Sequence, residues 1–259
     1  MTRIVTYFSG SQTIHELLSQ FPLSQGPLYH YINQQAAEGI SKGEIWVTRA
    51  DCFFDSSEIQ HGISIIADVA RQELNDNVLV VFVSLLFVIR ERLKQCYVFS
   101  LSLDRDNPYL TSRYGKGLAF PEDFPRRLFS MGWHSVRNDG NSFRNYYFVD
   151  LYDFFEGSVI YDMDSKQRAA RLVCEAFREI ITPQAHIVDN FHFINILMTC
   201  CVLFKETKFA NEEEYRAALV SKTANNESFE HSRTNKGRHI RYIAASGPPN
   251  YFVPEGQTS

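Results

Sequence analysis

The chain has 259 residues, 44% of them hydrophobic and 22% charged, with a formal net charge of -4. Such a balance excludes a disordered polyelectrolyte and supplies no strong field for nucleic acid. With 13 Gly and 9 Pro, a collagen-like or linker-dominated chain is also excluded, and a folded domain with a sizeable core is expected.

The first twenty residues, MTRIVTYFSGSQTIHELLSQ, are polar and lack the unbroken apolar segment of a secretory signal. Strand composition begins at Leu28–Ile32, LYHYI, followed by a short helix in NQQAAEGISKG stopped at Gly43 and a strand in EIWVT. Trp46 in that strand is expected to pack in the core, because Ile45 and Val47 flank it. Asp51 to Ser57 reads as a turn-rich loop. Ile59, Ile63, Ile66, Ala67 and Ala70 then repeat at helical spacing, predicting a helix from about Ser57 to Leu74.

The longest apolar run, Val78 to Ile89, is interrupted only by Ser84 and falls short of the roughly 20 residues that span a bilayer. Its length and charged RERLK end predict a core helix packed on several sides. Cys96 to Leu103 reads as a strand ended by the turn chemistry of DRDNP, and further strands are expected at Asn145 to Tyr152 and Gly157 to Tyr161. Ala169, Leu172, Val173, Ala176, Phe177 and Ile180 mark an amphipathic helix, and Pro183 starts another that carries the apolar stretch Phe191 to Leu203. EEYRAALV and RHIRYIAA are late strands, and the Pro- and Gly-rich tail is extended. The expectation is one α+β domain over residues 1–259, with a mixed or split β-sheet and flanking and inserted helices. Five cysteines without CxxC spacing predict reduced thiols in a cytoplasmic protein.

Motifs for a phosphate loop, a dinucleotide fold, a zincin and a nucleophile elbow are missing, which disfavours the common enzymes built on them. The eight histidines are scattered, and His186 and His192 do not share a helical face, so no metal is assigned. The richest cluster is KFANEEEYRAAL: on a strand, Glu212, Glu214 and Arg216 project from one face. Neighbouring carboxylates raise each other's pKa and can share acid, base or cation-stabilising work, whereas the plainer reading is a solvated strand edge neutralised by Arg216. His30, and Ser100 with Ser102 in FSLS, are by default structural strand positions. RTNKGRHIR, Arg233 to Arg241, is a basic segment more consistent with a solvated turn than with nucleic-acid binding.

Taken in order, LYHYI, KGEIWVTRADCFFDSSE, YVFSLSLD, YG with GLAF, and FKETKFANEEEYR resemble the domain of unknown function 2971 family. Tyr29, His30, Tyr31, Gly43, Glu44, Trp46, Asp55 and Glu58 match its opening pattern. Phe54 and Ser56 stand where the family has Asn and Pro. Val98, Phe99 and Ser100 match its Cys-Phe-Ser strand, and Tyr114 is kept from a Trp-x-x-Tyr step whose Trp is Thr111 here. Its Glu-x-Glu-aromatic-Arg signature is complete in Glu212, Glu214, Tyr215 and Arg216. The resemblance covers about residues 28–243, leaving 1–27 as an N-terminal extension and 245–259 as a tail.

A first-strand His, a middle-strand Ser-x-Ser and a late Glu-x-Glu are also similar to the layout of ADP-ribosyltransferases, an analogy of motifs. It implies an ADP-ribosyltransferase-like core that binds NAD as substrate. His30 would hold the nicotinamide ribose, Ser100 or Ser102 would brace the pocket, and Tyr31 would wall it only with its side chain turned toward it, since the pleat puts it opposite His30. Glu214 would stabilise the oxocarbenium-like state and Glu212 would activate the acceptor. Arg216 and Tyr114 are supporting residues. The function expected on that basis is NAD-dependent ADP-ribosyl transfer or NAD glycohydrolysis, in a bacterial toxin or defence effector, onto an unspecified protein, nucleic acid or water. The alternative is a catalytically silent interaction or sensing module of the same fold. The two separate on geometry, since the first needs His30, a serine of FSLS and Glu214 to line one pocket. On that reading Glu214→Gln is expected to fold and to lose activity.

Overall fold

The computed structural model describes residues 11–53, 57–138, 142–181, 187–222, 230–235 and 238–246. Its framework is an open antiparallel sheet. The strands are β1 (Leu28–Tyr31), β2 (Glu44–Arg49), β3 (Cys96–Ser102), β4 (Gly117–Phe120), β5 (Trp133–Asn138), β6 (Ser142–Tyr147), β7 (Tyr152–Ser158), β8 (Glu214–Ser221), β9 (Glu230–Asn235) and β10 (Arg238–Ser246). They join in the order β4-β1-β3-β2-β10-β5-β6, with β8 added to β3, β7 to β8 and β9 to β10. β3 is the hub: β8 pairs along its whole length, while β1 and β2 pair near its opposite ends. Pairing between these strands is antiparallel throughout, so of the mixed or split sheet expected the mixed form is not found.

The helices are α1 (Gln12–Ser19), α2 (Gln34–Ser41), α3 (Ser57–Glu73), α4 (Asp76–Arg92), α5 (Pro108–Tyr114), α6 (Phe124–Met131), α7 (Phe148–Leu151), α8 (Met163–Ile180) and α9 (Ile187–Leu203). Side chains of Ser11, Asn33, Asn75, Asn107 and Asp162 accept from backbone N–H groups in the first turns of α1, α2, α4, α5 and α8, satisfying donors that have no partner inside the helix. Gly43 has φ 76, a left-handed conformation that glycine adopts freely, and it turns the chain from α2 into β2. α3, α8 and α9 pack against one another under one sheet face, where Cys96, Val98, Ala218 and Val220 meet them in a continuous apolar core. At the tightest approach, a side chain on Gly62 would stand 2.7 Å from the Cys201 carbonyl oxygen. The other face carries Tyr97, Phe99, Leu101, Tyr215 and Leu219, which pack with Phe124, Leu128 and Phe148 of α6 and α7.

Several expectations are corrected. α4 is a helix, but it is buried on one side only: Val80 is 68% exposed and Phe87 62%, with Val81 and Val88 also exposed. The segment expected as a strand over 145–152 is instead the end of β6, the short helix α7 and the start of β7, and β7 ends at Ser158. Trp46 is only partly buried. Strand alternation puts Ile45 and Val47 in the core and Trp46 on the other side, where Nε1 donates to Glu44 Oε1 at 2.9 Å and the ring lies 5.1 Å from that of Tyr242. Asp55, Pro183, His186 and residues 247–259 lie outside the described residues. Among the described residues no helix is long and apolar enough to cross a membrane.

Candidate functional site

Antiparallel register between β3 and β8 sets Ser100 opposite Arg216 and Ser102 opposite Glu214. Residues opposite each other share a face, so these four project toward the helices. β1 continues the layer, with Tyr29 opposite Ser102. By the pleat, Tyr31 shares that face and His30 takes the other. The His30 ring accordingly packs 4.8 Å from Phe99, on the opposite side of the sheet from Glu214. Its Nδ1 donates to the Ser100 carbonyl oxygen at 3.0 Å, and burial, opposed by that bond, lowers its pKa to about 4. It is a neutral imidazole fastening β1 to β3.

The sheet therefore does not bring the expected constellation together around one space. Ser100, Ser102, Tyr31, Glu212 and Glu214 gather on one side, and His30 is excluded. The Tyr31 hydroxyl lies 2.9 and 2.7 Å from the carbonyl oxygens of Asp104 and Arg105 and accepts from Asn107 N–H at 2.8 Å, pinning the start of α5. Ser102 Oγ donates to the Glu212 carbonyl oxygen at 3.0 Å. Tyr114 is 42% exposed at the end of α5, 5.5 Å beneath the Arg113 guanidinium.

Glu212 ends a 3-10 turn, Thr207–Glu212, and β8 begins only at Glu214, so the pair does not alternate along one strand as expected. Between them Glu213 has φ 44, a left-handed conformation that costs a non-glycine residue on the order of 1 kcal/mol or more. The strained corner aims both carboxylates at one ammonium. Lys205 Nζ donates to Glu212 Oε2 at 2.6 Å and to Glu214 Oε2 at 2.9 Å, and stands 3.6 Å from Glu58 Oε1. Arg216 grips Glu214 with two bonds of 2.9 Å, reaches Glu58 Oε2 at 2.6 Å and donates to the Val202 carbonyl oxygen at 2.7 Å. All five side chains are buried. Three carboxylates against two cations leave a formal charge of -1 inside the network.

Electrostatics separates the two glutamates. Burial alone raises a carboxyl, but at Glu214 the charges of Arg216 and Lys205, with a smaller contribution from Ser100, overcome it and hold the pKa at about 2. At Glu212 burial prevails over Lys205, helped by repulsion from Glu214, and the pKa is raised. Next to the network, Lys166 Nζ donates to the Lys205 carbonyl oxygen at 2.9 Å and to His61 Nε2 at 3.1 Å, and burial lowers its pKa. Lys205 and Lys166 were missed in the sequence, because a buried lysine has no local pattern, and Glu58, matched there only as part of a family-like loop, was not linked to its partners, which lie over 140 positions away.

The basic segment Arg233 to Arg241 falls on the β9 and β10 hairpin, where Arg241 pairs with Glu230 at 3.2 Å. Glu230 also receives Arg49 at 3.1 Å and the Tyr97 hydroxyl at 2.6 Å. Arg241 thus serves an ion pair within the fold. Comparison of the chain with protein-family models, curated proteins and solved structures finds no match.

Proposed function

We propose that the chain is a non-catalytic interaction module whose docking surface is the outer face of α4. One observation carries this reading: Val80, Val81, Phe87 and Val88 form an exposed apolar stripe on a helix whose opposite side is anchored in the core by Phe82, Leu86 and Ile89. Folded monomers rarely present such contiguous apolar surface unless a partner covers it. The carboxylates fit the same reading, since both Glu214 oxygens are occupied by buried cations and serve to join β8, α3 and the end of α9.

A second reading, NAD-dependent transfer, draws support from the common face shared by Tyr31, Ser100, Ser102 and Glu214. It requires the ionic network to open and a residue other than His30 to hold the ribose. Incubation with NAD separates the two. The module reading expects no nicotinamide release by the wild type, together with binding, at concentrations too low for self-association, of an apolar fluorescent dye that is weakened by Val81→Glu or Phe87→Glu. NAD turnover that is lost in Glu214→Gln at matched folding would replace it with the transferase reading.

A further inference from the structure

We infer that the partner of α4 is a second copy of the chain, bound through an antiparallel pair of α4 helices about a two-fold axis at Ser84. The inference rests on the binding-module reading and adds the identity of the partner. Its basis is the symmetry of the stripe. At 3.6 residues per turn, Asn77, Val80, Val81, Ser84, Phe87, Val88 and Glu91 fall on one face of the helix, and all seven are exposed. Around Ser84 the pattern reads nearly the same in both directions. In an antiparallel pair centred there, Val80 meets Val88, Val81 meets Phe87, and Asn77 meets Glu91, so apolar residues meet apolar ones and an amide meets a carboxylate.

The centre of the stripe suits a helix crossing. Ser84 is small, and its hydroxyl already donates to the Val80 carbonyl oxygen at 2.9 Å, so covering it strands no donor. The ends supply charge complementarity. Asp76 lies in the first turn of α4, whereas Arg90 is exposed in its last turn, beside Arg92, which donates to the Ser221 carbonyl oxygen at 3.1 Å, and before Lys94, which pairs with Glu91 at 2.8 Å. Antiparallel packing sets the acidic end against the basic end of the other copy and opposes the two helix dipoles. Parallel packing would bring the cations together. Beside the stripe runs a groove of about 190 Å³ against α3, lined by Ile63, Ala67, Val83 and Leu86 together with polar side chains that include Asp68 and Arg71. An isologous contact of this kind uses the same patch twice and closes the assembly at two subunits.

The test uses the full chain, with sedimentation velocity across the micromolar range and cysteine crosslinking in a Cys52→Ser background, since the other four cysteines are buried. Wild type is expected to sediment as a dimer at the upper end of that range. Val81→Glu and Phe87→Glu are each expected to be monomeric, and to melt like the wild type at concentrations low enough for the wild type to be monomeric too, because both positions are exposed in the single chain. Ser84→Cys places the thiols at the axis and is expected to form a disulfide-linked dimer under mild oxidation. Val80→Cys separates them by about eight residues, about 12 Å along the axis, beyond disulfide reach, and is expected to stay uncrosslinked. A monomeric wild type, a dimer that Ser84→Cys fails to trap, or equal trapping by Val80→Cys would overturn the proposal. The NAD assay judges the module reading separately, whatever the state of association.

Discussion

The two glutamates of the Glu-x-Glu pair are expected to respond oppositely to the same substitution. Glu214 is held at about 2 against an ordinary value of 4.5, so the folded protein favours its ionised form by about 3 kcal/mol at neutral pH. Glutamine at 214 would keep the shape and lose that preference. It would also turn an NH₂ donor toward Arg216 or Lys205, which themselves offer only donors. Glu214→Gln is therefore expected to destabilise the fold by about 3 kcal/mol, about 6–12 °C in a chain of this size, which revises the expectation from sequence that this variant folds normally. Glu212 titrates in the other direction: its raised pKa means the folded state disfavours its charge, so Glu212→Gln is expected to be much milder. The same linkage sets a pH signature. A depressed folded pKa contributes stability present above 4.5 and lost as pH falls from there toward 2, and Glu214→Gln should lack that acid-side loss. Urea denaturation of wild type and both variants at pH 7 and pH 3 measures all of this. Equal destabilisation by the two substitutions, or a Glu214→Gln protein within about 0.5 kcal/mol of wild type at pH 7, about a two-fold change in equilibrium, would refute the reasoning.

Glu156 is buried beside Arg126 at 2.6 Å, and burial raises its pKa to about 7. The fold should lose stability as pH rises from about 4.5 toward 7, and Glu156→Gln should flatten that slope in urea midpoints compared at pH 5 and pH 8; an unchanged slope would place the titration elsewhere. Burial lowers both His30 and His134 to about 4, so each contributes stability present above 6.5 and lost as pH falls through 4. His30→Gln should reduce, and not abolish, the loss between those values, as thermal melts across the window would show. Gly62→Ala would push a methyl group to within 2.7 Å of the Cys201 backbone, where overpacking costs about 1–3 kcal/mol; melting at the wild-type temperature would show that α3 and α9 move apart freely.

Much of the secondary structure was legible because it depends on local pattern. The helical repeat from Ile59 to Ala70, the strand at Cys96–Ser102 and the stop at Gly43 follow from periodicity and backbone preference over a few residues, and the structure has them within a residue or two. Tertiary structure decided which side of each element faces the interior. Val78 to Ile89 is apolar all round, so its composition predicts full burial, yet only one face finds neighbours in the single chain and the other is left outside. Trp46 went astray for a related reason: apolar flanks in a strand lie on the opposite face, and they say nothing of what covers the residue between them. The site divides in the same way. Glu212, Glu214 and Arg216 announce themselves in the sequence by proximity, but their meaning depends on Lys205, just past the end of α9, and on Glu58 in α3, positions that no local spacing connects. His30 was separated from the carboxylates by a single step of register: Tyr29 pairs with Ser102, and with a side-chain period of two that one fact turns the imidazole to the far face of the sheet.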